Sequence, residues 1–229
     1  MEWLYGHTFN CQLISLEKVR NVIHRKVGVA PDSEEQGWSW LEPRDFIQGG
    51  DNMKILAFVA SPRKGSNTDI LVDQILKGCK ESGHSAEKLY LYHYRISPCI
   101  DCRNCKKGEY VCTLKDRMQQ IYPKMEEADL IIFGTPNYWF GPTATMKLLV
   151  DRMRPFAANK RMKGKRWVLV APAADGPKVC GPLVQMFRLS FDYLGMKFAG
   201  KILVKAYEKG EVKENRQGLK KAYELGTSL

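Results

Sequence analysis

From residue 53 onward, short apolar runs alternate with segments of helical period, and this pattern narrows most what the chain can fold into. Residues 54–60 (KILAFVA), 129–134 (DLIIFG) and 166–171 (RWVLVA) are runs of the kind that forms strands buried on both faces. Between them apolar residues fall three and four apart: Ile70, Val72, Ile75, Leu76 and Cys79 over 69–79, and Met146, Leu148, Leu149 and Met153 over 144–153. Val184, Met186, Phe187, Leu189, Phe191 and Leu194 do the same over 179–194. Weaker strands are expected at 86–91 and 197–204, a helix between the long loop and the third strand, and a last helix at 213–225. Strict alternation of this kind predicts an α/β fold with a doubly wound parallel sheet, because parallel strands need crossovers that cover both faces.

Five strands is the flavodoxin-like count, and such sheets bind ligands beyond the carboxyl ends of their strands, where strand order reverses. Function is therefore expected in the loops after Ala60, Gly134 and Ala171. Residues 53–229 make up this domain, and residues 1–52 read as an N-terminal extension. The extension has one amphipathic segment at 13–27, then a loop-like stretch whose Trp38, Trp40 and Phe46 predict packing on its own domain or a neighbouring subunit. Met53, just before the first strand, is an alternative start, which the intact mass of the native protein decides.

After the first strand comes Ser61-Pro62-Arg63-Lys64-Gly65-Ser66-Asn67-Thr68, then a helix. Small residues and hydroxyls at a helix N-terminus expose unpaired N–H groups to an anion, which makes a phosphate cradle. The alternative is an N-capped helix with Ser66 or Asn67 as the cap. The loop matches neither G-x-x-x-x-G-K-[ST] nor G-x-G-x-x-G, so a nucleoside triphosphate or a Rossmann dinucleotide is not indicated. After the third strand, Pro136-Asn137-Tyr138-Trp139-Phe140-Gly141 places three aromatics between two prolines, suited to a wall for a planar ring, with Gly141 allowing close approach. A subunit interface is the competing reading. The small-residue loop 172–177 can close over the same ring.

A chain of 229 residues needs no staple to fold, so its seven cysteines need another reason. Four of them, Cys99, Cys102, Cys105 and Cys112, are spaced C-x2-C-x2-C-x6-C. That spacing can wrap one [4Fe-4S] cubane, whereas structural zinc usually takes two separated C-x-x-C pairs; zinc, free thiols and a disulfide stay open. Arg103, Lys106 and Lys107 would offset thiolate charge. Cys79 reads as core, Cys180 as small-residue packing with a flavin neighbour as the alternative, and Cys11 is uninformative. His7, His24, His84 and His93 make no pairing that suggests a nucleophile, so no catalytic side chain is assigned.

The net charge is +11, but five of the 36 Lys/Arg and eight of the 25 Asp/Glu lie in residues 1–52, leaving 31 and 17, a net of +14, on the remainder. The densest stretch is Arg152, Arg154, Lys160, Arg161, Lys163, Lys165 and Arg166, read as a solvated loop or as steering for phosphate-bearing cofactors or an acidic redox partner rather than for nucleic acid. No apolar run approaches the ~18 residues of a membrane span, and Glu2 is out of place in a signal peptide, so a cytoplasmic protein is expected.

SPRKGSNT, the four-cysteine loop and DLIIFGTPNYWFGPTATMKLLVDR, in this order over about residues 53–205, resemble the NADPH-dependent FMN reductase family, and within it the iron–sulfur flavoproteins of anaerobic prokaryotes. The resemblance implies a flavodoxin-like fold binding FMN. By position, Ser61, Arg63, Ser66, Asn67 and Thr68 match the family's phosphate loop, and 136–141 its isoalloxazine loop. Cys99, Cys102, Cys105 and Cys112 match the motif that holds a [4Fe-4S] cluster exchanging electrons with FMN across a dimer. A homodimer or homotetramer and a ferredoxin-like electron carrier or small-molecule acceptor are the implied partners. The alternatives are a cluster-free NAD(P)H-dependent FMN or quinone reductase and a zinc-stabilised flavodoxin-like binding module without turnover.

Overall fold

The computed structural model describes residues 52–229, so the expected helix at 13–27, the loop after it, Cys11, His7 and His24 lie outside the described residues. Five parallel strands form one sheet in the order β2-β1-β3-β4-β5: β1 Lys54–Val59, β2 Ser85–Tyr90, β3 Leu130–Gly134, β4 Arg166–Ala173 and β5 Lys197–Lys205. The crossovers are α1 (Asn67–Glu81), α2 (Met118–Glu127), α3 (Ala144–Asp151), α4 (Arg154–Asn159) and α5 (Gly181–Tyr193), and α6 (Arg216–Ser228) closes the chain. This is the flavodoxin-like order, and its direction reverses between β1 and β3. Among the described residues no helix is long and apolar enough to cross a membrane.

Side chains alternate across each strand, so the apolar runs feed two cores. Leu56, Phe58, Ile131, Phe133, Trp167 and Leu169 face one layer with Met118, Ile121, Met146, Leu149, Phe187 and Phe191 of α2, α3 and α5. Ile55, Ala57, Val59, Ile132, Val168 and Val170 face the other, with Leu71, Val72, Ile75 and Cys79 of α1 and Ala222 of α6. Cys79 is core as expected, and burial pushes its thiol up to about 11.

Two departures from the sequence reading have local causes. The helix expected over 144–153 breaks after Asp151, because Pro155 lacks an amide hydrogen and its ring collides with the carbonyl four residues back; the chain restarts as α4. Leu189 is 63% exposed although it sits within the apolar pattern of α5, since Phe187 and Phe191 already occupy the buried side.

Close approach brings α1 to the end of the sheet. A Cβ at Gly134, the last residue of β3, would lie 2.8 Å from Val72 Cγ2 and 3.1 Å from Thr68 Cγ2. Glycine there lets the first turn of α1 settle against the switch point.

Candidate functional site

A cleft of about 490 Å³ opens at the carboxyl ends of β1, β3 and β4, within the range of small-molecule sites. Ser61, Arg63, Ser66, Asn67 and Thr68 line one side and Pro136, Asn137, Tyr138 and Trp139 the other, with Pro172 and Ala173, the last residues of β4, and Ala174 after them between. The switch-point rule thus converges three loops that are far apart in sequence.

The α1 end of the cleft gathers small residues, hydroxyls and a helix N-terminus. Ser66 occupies the N-cap position but its side chain makes no capping bond; its Oγ lies 3.0 Å from Ser61 Oγ instead. The first-turn N–H groups are left to an external acceptor. Asn67 does a different job: its Nδ2 donates to Glu208 O (2.8 Å) and its Oδ1 accepts from Val212 N (3.1 Å), so its side chain ties down the loop after β5. That loop brings Ala206, Tyr207 and Glu208 into the wall, which no sequence motif announced. Arg63 Nη2 reaches Tyr207 O at 3.3 Å.

Two polar atoms in this cleft are buried without a partner, Thr68 Oγ1 and Asn137 Oδ1. An orphaned buried polar group costs about 1–3 kcal/mol, so two of them on residues that line one cleft fit a ligand with matching donors and acceptors. FMN, with an anionic phosphate, a hydroxylated chain and a planar ring edged with donors and acceptors, has the chemistry these residues lack.

The aromatic loop is a two-residue hairpin. Tyr138 N donates to Gly141 O (2.8 Å) and Gly141 N to Tyr138 O (2.9 Å), and the tip residues Trp139 and Phe140 have φ of 49° and 62°. Left-handed backbone at two bulky residues costs roughly 1–2 kcal/mol each. The hairpin holds Trp139 95% exposed on the cleft rim. Phe140 and Gly141 are not among the residues that line the cleft, and a Cβ at Gly141 would meet only Tyr138 O at an ordinary 3.7 Å. Two buried threonines lock the loop from beneath: Thr135 Oγ1 accepts from Thr143 N (3.0 Å), and Thr143 Oγ1 donates to Ala60 O (3.0 Å). Both threonines lie inside the quoted DLIIFGTPNYWFGPTATMKLLVDR, where residue type alone does not show this positioning role.

Behind this region lies a carboxylate that the sequence reading missed. Asp69, buried in the first turn of α1, accepts from Gly65 N (2.8 Å), Lys88 Nζ (2.7 Å) and Tyr90 Oη (2.9 Å). Burial alone would raise its pKa, but those bonds outweigh it and hold the carboxyl below its usual range.

The four-cysteine loop forms a second, smaller cavity lined by Cys99, Cys102, Cys105 and Cys112 together with Arg152 and Arg154. All four are free thiols. The backbone bends around it with positive φ at Asp101, Arg103, Gly108 and Tyr110. Cys102, exposed at the cavity's edge, has its thiol pKa lowered chiefly by the Asn104 N–H; Cys105 is pushed up by burial and then by the neighbouring thiolates. Among the described residues no three Cys, His, Asp or Glu side chains stand close enough to hold a metal ion as they are, so the thiols share a cavity without closing into a ligand set. The donor set still fits one thiophilic group: four sulfurs, with the guanidinium groups of Arg103, Arg152 and Arg154 and the single carboxylate of Asp151 on the walls.

A family model described as NADPH-dependent FMN reductase matches residues 53–208. The chain belongs to the NADPH-dependent FMN reductase family. It is accordingly an FMN-dependent oxidoreductase, and the reading as a binding module without turnover is set aside. A relative from Bacillus subtilis, described as an NAD(P)H-dependent FMN-containing oxidoreductase, is 32% identical over 76% of this chain and 96% of its own length. An iron–sulfur flavoprotein of Archaeoglobus fulgidus is 31% identical over 77% of this chain and 79% of its own. In fold alone, an NAD(P)H:quinone oxidoreductase from Methanothermobacter marburgensis superposes with a TM-score of 0.60 at 16% identity, covering 77% of this chain and 96% of that one.

In this reductase-family chain the basic stretch at 152–166 is structural in part. Arg152 is buried against Asp116, Arg154 pairs with Asp101, and Arg161 with Glu126. Lys165 donates to the carbonyls of Glu126 and Ala128, and Arg166 to that of Leu229. The solvated-loop reading therefore fails for the buried Arg152 and the half-buried Lys165 and Arg166, and holds for Lys160, Arg161 and Lys163, which are exposed. Cys180 is buried in the core and outside the cleft's lining, and His84 accepts from Met53 N at the far end of β1.

Proposed function

We propose that this chain is an iron–sulfur flavoprotein: Cys99, Cys102, Cys105 and Cys112 hold a [4Fe-4S] cluster, and the cleft holds FMN. The observation that carries the reading is that four free thiols share one arginine-walled cavity in a chain that also builds an FMN-fitting cleft. The relatives named iron–sulfur flavoproteins support it.

In this reading the first-turn N–H groups of α1, with Ser61, Arg63, Ser66 and Thr68, bind the phosphate, and Asn67 steadies the wall that faces it. Pro136 to Tyr138 line the ring's place and Trp139 screens it from water, with Phe140 and Gly141 completing the hairpin. Bound FMN exchanges one or two electrons, and a [4Fe-4S] cluster one, so a one-electron carrier and a two-electron substrate can be served by one protein. No side chain need act as acid or base for that exchange. A ferredoxin-like carrier, a homodimer or homotetramer and a cytoplasmic setting complete the proposal.

The second reading, a cluster-free reductase that takes hydride from NAD(P)H, is favoured by the Bacillus subtilis relative's description. Cys102→Ser separates the two: under the proposal it abolishes iron binding while FMN content is unchanged. Retention of four irons per chain removes Cys102 as a ligand. Anaerobic absorbance with flavin bands alone, and rapid bleaching by NADPH, supports the second.

A further inference from the structure

We propose that Arg152 is the positioning residue of the four-cysteine site: it clamps both roots of the cysteine loop and donates its Nε–H to sulfur inside the cavity. This rests on the reading of those cysteines as cluster ligands.

Arg152 is only 1% exposed, which for a guanidinium demands strong compensation. Asp116 supplies part of it, with Nη1 2.5 Å from Oδ2 and Nη2 3.1 Å from Oδ1. The same carboxylate accepts from Ser97 N (2.8 Å) and Met118 N (3.0 Å), while Arg152 Nη1 also donates to Ser97 O (2.8 Å). Ser97 lies just before Cys99 and Asp116 just after Cys112, so one buried ion pair ties the loop's two ends to each other. Tyr122 Oη donates to Arg152 O (2.7 Å) and fixes the backbone that carries the clamp.

One donor of this guanidinium is unused. Arg152 Nε is buried with no hydrogen-bond partner, although its residue lines the cavity shared by the four thiols. A charged donor left without an acceptor is costly. The lining offers two acceptor chemistries, sulfur and the Asp151 carboxylate, and that carboxylate already accepts from Lys147 Nζ (2.5 Å), which leaves thiolate or sulfide sulfur for the Arg152 Nε–H. Asp116 does not line the cavity, so the wall presents the positive half of the pair. Arg154, at the first residue of α4, adds a second, more exposed guanidinium, its Nη1 3.9 Å from Cys99 Sγ. The helix break imposed by Pro155 puts both arginines on this wall. A cation donating to sulfur favours the more negative, reduced state of a cluster and raises its reduction potential.

The test compares full-length wild type, Arg152→Lys and Arg152→Gln, purified without oxygen. Iron, acid-labile sulfide and FMN are measured, and the midpoint potential is followed by electron paramagnetic resonance with dithionite as reductant. Arg152→Gln is expected to lose at least half of the iron at unchanged FMN content. Arg152→Lys is expected to load but to titrate at a more negative potential, since the charge stays and the Nε–H is gone. Wild-type iron content and wild-type potential in Arg152→Lys overturn the proposal, and this variant decides alone if Arg152→Gln does not fold. If wild type itself holds neither iron nor sulfide, the cluster reading falls. Cobalt(II) binding at the thiols, followed by its sulfur-to-cobalt absorption, then decides the role of Arg152: affinity at least tenfold weaker in both variants supports it, and equal affinity overturns it.

Discussion

Thr68 and Asp69 sit side by side in the first turn of α1 and bear opposite consequences. The Thr68 hydroxyl is buried and unpartnered, so Thr68→Val should leave the apoprotein as stable as before or about 1 kcal/mol more stable. In the FMN-bound protein the same change should raise the FMN dissociation constant about tenfold, as loss of one hydrogen bond of this strength predicts. Unchanged affinity by fluorescence titration would remove the hydroxyl from the site. Asp69 is instead fully engaged, and its carboxyl is held below the usual range in the fold. A depressed folded value means stability that is present above the unfolded carboxyl pKa and lost as pH falls through the folded one. Asp69→Asn should therefore cost about 2 kcal/mol at pH 7, and the gap from wild type should close progressively below about pH 4. A gap independent of pH in thermal melts would contradict the assignment of the charge.

At the scale of elements, α1 and α6 meet through glycine. A Cβ at Gly226 would fall 2.1 Å from Ile75 O, and one at Gly78 2.4 Å from Tyr223 O, so these helices pack backbone to backbone. Gly226→Ala should cost about 3 kcal/mol and lower the melting temperature by roughly 9 °C, with the thiol content of the cysteine loop unchanged. An unaltered melt would show that α6 can slide away at little cost. Nothing in GLKKAYELGTSL announces that contact; the apolar spacing marks a helix, and the partner is set by the tertiary fold. The strands were legible because burial on both faces leaves continuous apolar runs such as LIIFG. The turn before α1 was legible because Gly65, at φ 65°, suits the backbone there, whereas the left-handed backbone of Trp139 and Phe140 runs against their residue type and was not. The wall formed by Ala206 to Glu208 was not, since Asn67 recruits it across the fold. Arg152 and Arg166 read as surface charge because sequence shows a cation but not its buried partner.

For the whole molecule, charge matters through its unpaired remainder. Residues beyond the first 52 carry a net +14, and ion pairs such as Arg161–Glu126 and Lys124–Glu87 are internal to that balance. A long-range positive field steers an acidic carrier and is screened over about 8–10 Å at 0.1–0.15 M salt. If the partner is a ferredoxin-like acidic protein, its second-order rate of electron exchange should fall several-fold between 20 and 300 mM salt; a flat salt dependence in stopped flow would point to a neutral small-molecule acceptor. The flavin and the thiols together make the claim that is most exposed to test, which is that one chain carries two redox groups. Protein purified without oxygen should contain four irons, four acid-labile sulfides and one FMN per chain, with a broad absorbance beneath the flavin bands that bleaches with dithionite. One zinc per chain with no iron, or flavin without sulfide, would contradict it.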